Sequence, residues 1–109
     1  MMSLHARYLK ERAGIDCLET ERGYMSYRMN GKECFIHDTF VLPEYRRAGE
    51  AAAMLEQVIA IAREQGATMI TCTVCPDANG STEAAMTILS LGFRLSGSAP
   101  GLVAFLKEI

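Results

Sequence analysis

The sequence predicts a mixed α+β fold in which a mostly antiparallel sheet carries helices on both faces. Three observations indicate this fold: short β-type segments near both ends of the chain, two longer stretches with helical apolar spacing, and a strand between those two helices. The resulting order of elements is α-β-β-β-α-β-α-β-β. With 109 residues, 50% of them apolar and 22% charged, we expect one globular domain over residues 1–109.

The first part of the chain predicts a short helix followed by three strands. Leu4 and Tyr8 lie one helical turn apart within residues 4–12, and Gly14 follows as a helix-ending residue. The three strands are predicted over residues 15–20, 24–29 and 33–41.

A strong turn signal joins the second and third strands. Asn30-Gly31 is a preferred dipeptide for a two-residue hairpin loop, and taking it as the loop fixes the register of the two strands. In that register Tyr24 stands opposite His37, so we expect these two side chains to share a face of the sheet and to interact.

The second part of the chain predicts helices that alternate with strands. An amphipathic helix over residues 47–65 ends at Gly66, and a strand over residues 68–74 follows. With the strand before it, this helix forms a right-handed strand–helix–strand unit. The remaining elements are a helix from Ser81 or Thr82 to Leu91 and two antiparallel strands, over residues 93–96 and 102–106, joined by residues 97–101.

Charge and hydropathy narrow the class of protein. The formal net charge is −2 and there is no basic block, so we do not expect nucleic acid as a partner. No apolar run is long enough to span a membrane, and the first residues show no secretory signal. We therefore expect a cytoplasmic protein without a membrane partner.

The four cysteines include one Cys-x-x-Cys pair, Cys72 and Cys75. This pair lies in a predicted strand, where residues three apart point to opposite faces, and no second pair or histidine pair completes a zinc site. Reduced structural thiols are the favoured interpretation, and a functional thiol pair is the alternative. No metal is expected.

The segment before the long helix predicts an anion site. No Ser, Thr, Asp or Asn lies between Pro43 and Gly49 to cap the helix, so its first backbone N–H groups lack a side-chain acceptor. Free amides, the positive end of the helix dipole and the guanidinium groups of Arg46 and Arg47 together favour a phosphate or pyrophosphate. The alternative is an ordinary helix start with two solvated arginines.

This segment also resembles a known family. Arg46, Gly49 and Ala51 fit the pattern (Gln/Arg)-x-x-Gly-x-(Gly/Ala) of the GNAT superfamily of N-acetyltransferases, and residues 79–93 resemble a later helix of that family, which often ends in Gly-Phe. The resemblance covers roughly residues 15–109. It implies acetyl-CoA as co-substrate and transfer of an acetyl group to the amine of a small molecule or protein by direct attack in a ternary complex.

The resemblance assigns the cofactor contacts to two strips of chain. In the family, the strand before the motif splays from its parallel neighbour and leaves backbone groups free for the pantetheine arm, and the motif amides hold the pyrophosphate. The residues implied are Phe40, Val41 and Leu42 for the arm, Arg46, Arg47, Ala48, Gly49, Glu50 and Ala51 for the pyrophosphate, and Asn79 for a further contact with the arm. Asn79 has an equally open interpretation as a loop or capping residue.

Catalysis is implied at His37 and Asp38, which lie where related enzymes often carry an acidic residue. A histidine has a suitable pKa for a general base near neutral pH, and Asp38 would orient the ammonium group or take its proton through water. The alternative is a half-buried histidine beside Tyr24 with a structural aspartate. The tyrosine that often serves as general acid in the family is replaced by Ile88.

Other departures from the family pattern keep two alternatives open. Glu50 places a carboxylate in the phosphate loop, and the residues before Ile15 stand where the family usually has a strand and two helices. We expect apolar sheet surface that a partner subunit, as in a homodimer, would cover. The first alternative is an inactive CoA-binding or protein-interaction module of the same fold, and the second is a small α+β dimer that binds another anion.

Overall fold

The computed structural model describes residues 2–109 and shows three helices and six strands in that part of the chain. Their order, α-β-β-β-α-β-α-β-β, confirms the predicted one, with one short 3₁₀ helix at Pro43–Tyr45. The elements are α1 (Leu4–Ala13), β1 (Asp16–Glu19), β2 (Gly23–Asn30), β3 (Glu33–Val41), α2 (Glu50–Glu64), β4 (Met69–Val74), α3 (Ser81–Ser90), β5 (Arg94–Ala99) and β6 (Leu102–Glu108).

The six strands form one sheet in the order β1-β2-β3-β4-β6-β5. Every neighbouring pair is antiparallel except β3 and β4, which are parallel and are joined through α2. The parallel ladder is short: it pairs residues 33–35 of β3 with residues 69–71 of β4 and then ends. The remainder of β3, residues 36–41, therefore has no strand partner on its β4 side.

The hydrophobic core lies between the sheet and helices α2 and α3. Helix α2 contributes buried Met54, Leu55, Val58 and Ala62, spaced so that they line one side of the helix. The strand residues beneath them are Met25, Tyr27, Cys34, Ile36, Ile70, Cys72 and Phe105. Helix α3 packs Ala85 and Ile88 against the same cluster, and the residue that follows it, Leu91, does the same.

Helix α1 lies on the other face of the sheet. Its Ala6 is buried but is not part of the core cluster, and the His5 ring meets the Tyr24 ring edge-on at 5.8 Å. Tyr24 points away from the core because its neighbour Met25 points into it and strand residues alternate. The prediction of helices on both faces is therefore confirmed. No helix within residues 2–109 has the length and apolar character needed to cross a membrane.

The predicted start of the long helix was too early by three residues. Arg47 has a φ of +63° and Gly49 a φ of +84°, both in the left-handed region, so the chain becomes helical only at Glu50. The last hairpin is also tighter than predicted, because β5 continues to Ala99 and leaves only Pro100 and Gly101 as the turn. Proline followed by a glycine of positive φ (78°) is the pattern of a type II turn.

The predicted register of the first hairpin was wrong. Asn30 pairs with Glu33, so the loop consists of Gly31 and Lys32, and Tyr24 stands opposite Phe40 rather than His37. Gly31 alone in this loop has a positive φ, which is the type II′ pattern with glycine at the first central position. A type I′ loop at Asn30-Gly31 requires positive φ at both residues, and Asn30 does not have one.

Candidate functional site

A β-bulge brings the two predicted catalytic residues to one face of the sheet. Tyr27 pairs with Ile36 whereas Ser26 pairs with Asp38, so His37 is an extra residue that β2 does not match. In an unbroken strand His37 and Asp38 would point to opposite faces. Here both lie on the face that bears Ser26, opposite α2, because Asp38 pairs with Ser26 and His37 lines a recess on that face. We call this the open face of the sheet.

The bulge is held by a buried hydroxyl group. Ser26 is only 1% exposed, and its Oγ accepts a hydrogen bond from the Asp38 N–H at 3.1 Å and donates one to the Asp38 carbonyl at 3.4 Å. The side chain thus replaces ladder bonds that the extra residue disrupts. Nothing in the sequence pattern marked Ser26, because its role depends on a register that is set by the turn at the far end of the hairpin.

The loop before α2, residues 46–49, presents a row of free backbone donors. We call it the anion loop, after the anion that the sequence predicts there. Gly49 is the N-cap of α2 and has no side chain to cap the helix. The first intrahelical bond is donated by Ala53 to the Gly49 carbonyl, and the six N–H groups from Arg47 to Ala52 find no acceptor within residues 2–109. Six consecutive amides at the positive end of a fifteen-residue helix form a strong local attraction for an anion.

The charge of Glu50, the first residue of α2, is paired with that of an arginine. Its carboxylate accepts a hydrogen bond from Arg22 Nη1 at 2.8 Å, and the Arg22 guanidinium lies over the Tyr45 ring at 4.6 Å from its centroid. Arg22 precedes β2 and Tyr45 ends the 3₁₀ helix, so two separate segments hold the carboxylate in place. The repulsion of an anion by Glu50 is therefore reduced by a neighbouring positive charge.

Arg46 has a partly structural role. Its Nε donates to the Val41 carbonyl at 2.9 Å, and its guanidinium lies 5.7 Å from the centroid of the Phe40 ring. This carbonyl, predicted to serve a pantetheine arm, is thus already an acceptor, and the Leu42 N–H donates to the Arg22 carbonyl at 2.8 Å. The first bond ties the end of β3 to the anion loop, and the second ties it to the segment before β2. Arg46 as a whole is exposed.

A recess of about 280 Å³ opens beside His37 on the open face. His37 is exposed, and its ring meets the Phe35 ring edge-on at 4.8 Å. At the other end of the recess the Glu33 carboxylate accepts a hydrogen bond from the Thr71 hydroxyl. The residues that line the recess are Arg28, Asn30, Glu33, Phe35 and His37.

Tyr24 is a further polar group near Asp38 that the sequence did not single out as functional. Burial raises the pKa of its phenol above the ordinary value, and the nearby charge of Asp38 raises it further. The phenol therefore carries its proton at neutral pH and is a hydrogen-bond donor. The sequence predicted that Tyr24 pairs with His37, but in the structure Tyr24 stands opposite Phe40.

Asn79 lies on a different loop from the other predicted site residues. It occupies the exposed loop between β4 and α3, and no hydrogen bond within residues 2–109 involves its side chain. Because β3 and β4 are parallel, this loop and the anion loop follow the same edge of the sheet. A second recess, of about 180 Å³, lies near it between the end of β4 and α3, with Val74, Ala85, Val103 and Phe105 in its wall.

The cysteines are consistent with structural thiols. All four are free, and burial raises the pKa of the thiols of Cys34 and Cys72 to about 11. A thiol with so high a pKa is a poor nucleophile at neutral pH. Cys75 lies beyond the end of β4 and is exposed. Within residues 2–109 no three His, Cys, Asp or Glu side chains are grouped as metal ligands.

The sequence matches the model of one protein family. The model of the acetyltransferase (GNAT) family matches residues 9–87, which include the bulge, the anion loop, helix α2 and Asn79. No curated protein matches the sequence.

Solved structures of acetyltransferases share the fold at low sequence identity. The PaiA N-acetyltransferase of Thermoplasma acidophilum, in complex with coenzyme A, is 12% identical with a TM-score of 0.77 over 93% of this chain and 66% of its own. A candidate streptothricin acetyltransferase of Bacillus anthracis, in complex with acetyl coenzyme A, is 17% identical with a TM-score of 0.71 over 81% of this chain. A candidate acetyltransferase of Agrobacterium tumefaciens is 16% identical with a TM-score of 0.71 over the whole chain.

The shared length differs among these structures. This chain spans less than two thirds of the first two, 66% and 56% respectively, but 95% of the Agrobacterium protein. At such identities the comparison establishes the fold.

Proposed function

This chain belongs to the GNAT family of acetyltransferases, and we propose that it is an acetyl-CoA-dependent N-acetyltransferase that acts on a primary amine. The amine attacks directly while both substrates are bound, without a covalent enzyme intermediate. Residues 1–109 act as one domain that carries both substrate sites. The family membership and the complexes of similar folds with coenzyme A support acetyl-CoA as the donor.

The single observation that carries the proposal is the row of free amides at the start of α2. Six N–H groups from Arg47 to Ala52 lack protein acceptors, and the adjacent carboxylate of Glu50 is neutralised by Arg22. Such an arrangement fits a pyrophosphate, which offers several acceptor oxygens and two negative charges. The guanidinium of Arg47 adds a positive charge at the mouth of the loop.

The free edge of β3 directs the rest of the donor toward the bulge. Residues 36–41 have no partner on the β4 side, so an extended amide-containing arm can add to this edge much as a strand does. The arm would start near Leu42 and follow β3 back toward His37, about five residues or ~16 Å away. When bound, acetyl-CoA supplies the thioester that the amine attacks.

The residues of the bulge would perform the proton transfers. The amine arrives as an ammonium ion, and His37 accepts a proton from it, with Asp38 holding the ammonium group by charge. His37 is not paired with a residue of β2, and we assign its backbone N–H to stabilising the negative charge that develops on the acetyl oxygen. Tyr24, protonated at neutral pH and close to Asp38, is our candidate donor of a proton to the departing thiolate.

The first experiment tests donor binding. Thermal unfolding is followed with millimolar CoA and, as a control, with millimolar pantetheine, which lacks the pyrophosphate. We expect CoA to raise the melting temperature and pantetheine to have little effect, since the pyrophosphate makes most of the proposed contacts. No shift with CoA would refute the donor site and favour a module that binds another anion.

The second experiment tests turnover. Thiol release from acetyl-CoA is measured with a panel of primary amines, and the His37→Ala variant is compared with the unsubstituted protein. We expect release that depends on the amine and falls by about 10²-fold or more in the variant, which is the usual contribution of a general base.

A CoA-binding module without turnover is the second candidate. The observation that favours it is Ile88, which stands where the family often has its acidic tyrosine and packs against the core. A melting shift with CoA, but no thiol release with any amine, would select this candidate.

A further inference from the structure

The recess on the open face carries charges of both signs that the proposed chemistry does not use. Arg28 on β2 and Glu33 on β3 line it together with Asn30, Phe35 and His37. Arg28 stands directly opposite Phe35 in the register, so its side chain rises beside the aromatic floor of the recess. Of the residues that line the recess, only His37 takes part in the proposed proton transfer.

Arg28 is the one Arg or Lys among the residues that line the recess, and it is one of the cationic side chains of residues 2–109 that have no ion-pair partner. Lys10 pairs with Asp16, Arg22 with Glu50 and Arg94 with Glu108, at 2.8 to 3.0 Å. Within residues 2–109 no ion pair or hydrogen bond involves the Arg28 guanidinium. Glu33 also lines the recess but makes no ion pair with Arg28. Its carboxylate instead accepts a hydrogen bond from the Thr71 hydroxyl group.

The position of Arg28 fits a group close to the reacting amine. Phe35, opposite Arg28, is two residues from His37, which is about 7 Å along the strand. The parallel ladder ends at Phe35 and Thr71, so the edge of β3 becomes free beside the part of the recess that Phe35 and His37 line. An amine beside His37 therefore has its nearest substituents over Phe35 and within reach of Arg28.

We propose that the acceptor carries a carboxylate near its reacting amine, as an amino acid or short peptide does, and that Arg28 binds this carboxylate. The inference rests on the proposed function and names the chemical class of its acceptor. The Asn30 amide is a second donor in the recess, and a guanidinium binds a carboxylate well because its N–H groups match the two oxygens. Glu33 repels a second carboxylate, so the preferred acceptors carry only one.

The test compares matched acceptors in matched variants. Thiol release from acetyl-CoA is measured with glycine, lysine and a dipeptide, each against its carboxamide, which removes only the negative charge. The quantity of interest is the ratio of kcat/KM for the acid to that for the amide, compared between the unsubstituted protein and Arg28→Gln. Comparing this ratio between variants cancels the difference in basicity between an amino acid and its amide. Lys32→Gln, which removes a cation from the same hairpin outside the recess, is the control.

We expect at least one acid to be preferred over its amide, and Arg28→Gln to reduce that preference about tenfold or more, mainly through KM. Lys32→Gln should leave the ratio unchanged. An unaltered ratio in Arg28→Gln, or a uniform preference for amides, would overturn the inference while the proposed acetyl transfer stands.

Binding separates this failure from failure of the proposed function. The melting shift with CoA is measured for every variant, and calorimetric titration of the same acids is carried out in the presence of CoA. A CoA shift without binding or turnover of any acid overturns the inference alone. Absence of the CoA shift itself overturns the proposed function, and the acceptor assignment with it.

Discussion

The ion pair between Arg22 and Glu50 gives the sharpest test of the anion loop. Glu50 is the first residue of α2, its backbone N–H is one of those that we assign to a pyrophosphate, and its carboxylate is paired with Arg22 at 2.8 Å. Replacing Arg22 by glutamine leaves that carboxylate unpaired at the same place. We expect CoA to bind more weakly to Arg22→Gln although the amides themselves are unchanged.

The magnitude follows from the geometry of the helix. A phosphate on the first-turn amides lies within about 8 Å of the Glu50 carboxylate, because one helical turn rises only ~5.4 Å. Two unit charges at about 8 Å repel by roughly 2 kcal/mol at an effective dielectric constant of ~20, and physiological salt removes more than half of this. For a diphosphate the penalty is about 1–2 kcal/mol, or a five- to thirtyfold increase in Kd.

The effect on folding is smaller than the effect on binding. The Arg22 side chain is about half exposed, and an exposed ion pair contributes only ~0.2–1 kcal/mol to stability. Calorimetric titration with CoA measures the affinity and urea denaturation the stability. Arg94→Gln is the matched control, since it breaks an ion pair of similar length, 2.9 Å, with Glu108 at the far edge of the sheet.

A double substitution decides whether repulsion is the cause. In Arg22→Gln/Glu50→Gln the carboxylate is absent, so we expect CoA affinity to return to within about twofold of the unsubstituted protein, and the loss in Arg22→Gln alone to shrink at high salt. If the double variant binds as poorly as Arg22→Gln, the loss does not arise from Glu50, and the repulsion argument is wrong.

Three further predictions concern the loop, the bulge and the core. Arg47→Gly and Arg47→Ala should weaken CoA binding equally by calorimetry, but Arg47→Gly should be about 1 kcal/mol more stable to urea, because only glycine adopts a φ of +63° without strain; equal stabilities would contradict this. Ser26→Ala should lose ~1–3 kcal/mol of stability to urea and lower kcat with CoA affinity intact, since Asp38 loses both bonds that hold the bulge; an unchanged kcat would exclude a positioning role. Stability should fall as the pH rises from 9 to 11, because Cys34 and Cys72 ionise near 9 when unfolded but only at about 11 when folded. At pH 10.5 the free energy of unfolding should be lower than at pH 8 by about 2 kcal/mol for each thiol. If the urea midpoint is the same at pH 10.5 as at pH 8, this prediction is wrong.

The sequence was sufficient to predict that the long helix starts without a capping side chain, because the determinants of a helix start are local. The absence of a capping side chain, the glycine and the two arginines all lie within residues 43–51, and a helix start depends on its immediate neighbours. Even so, the sequence placed the helix start at Arg47. A positive φ at an arginine is uncommon and has no sequence signal, so the wide turn that exposes the amides of residues 47–49 was not foreseen.

The register of the first hairpin shows where sequence reasoning failed. Asn30-Gly31 was interpreted as a type I′ loop, but the chain uses Gly31 and Lys32. The Tyr24–His37 pair was predicted from that loop alone, without the bulge. Burial does not distinguish the two registers, because they differ by two residues and both place Met25 and Tyr27 on the core side with Cys34 and Ile36. What differs is the turn: Gly31 has a positive φ and Asn30 does not, which fits a type II′ loop at Gly31 and Lys32, and an alternating hydrophobic pattern cannot report such a choice.

The bulge lies within β3 and the anion loop follows its end, so the proposed acceptor and donor contacts involve different residues. By adding one residue, the bulge places His37 and Asp38 side by side on the open face while Ile36 still faces the core. The two polar side chains therefore share a face without removing an apolar side chain from the core. The anion loop lies at the other end of the same strand, and residues 38–42 join the two. Donor affinity should therefore depend on residues around 46–52, and acceptor choice on residues around 28–37. A substitution in one group should change its own binding constant with little effect on the other, which is the additivity expected for sites without shared contacts.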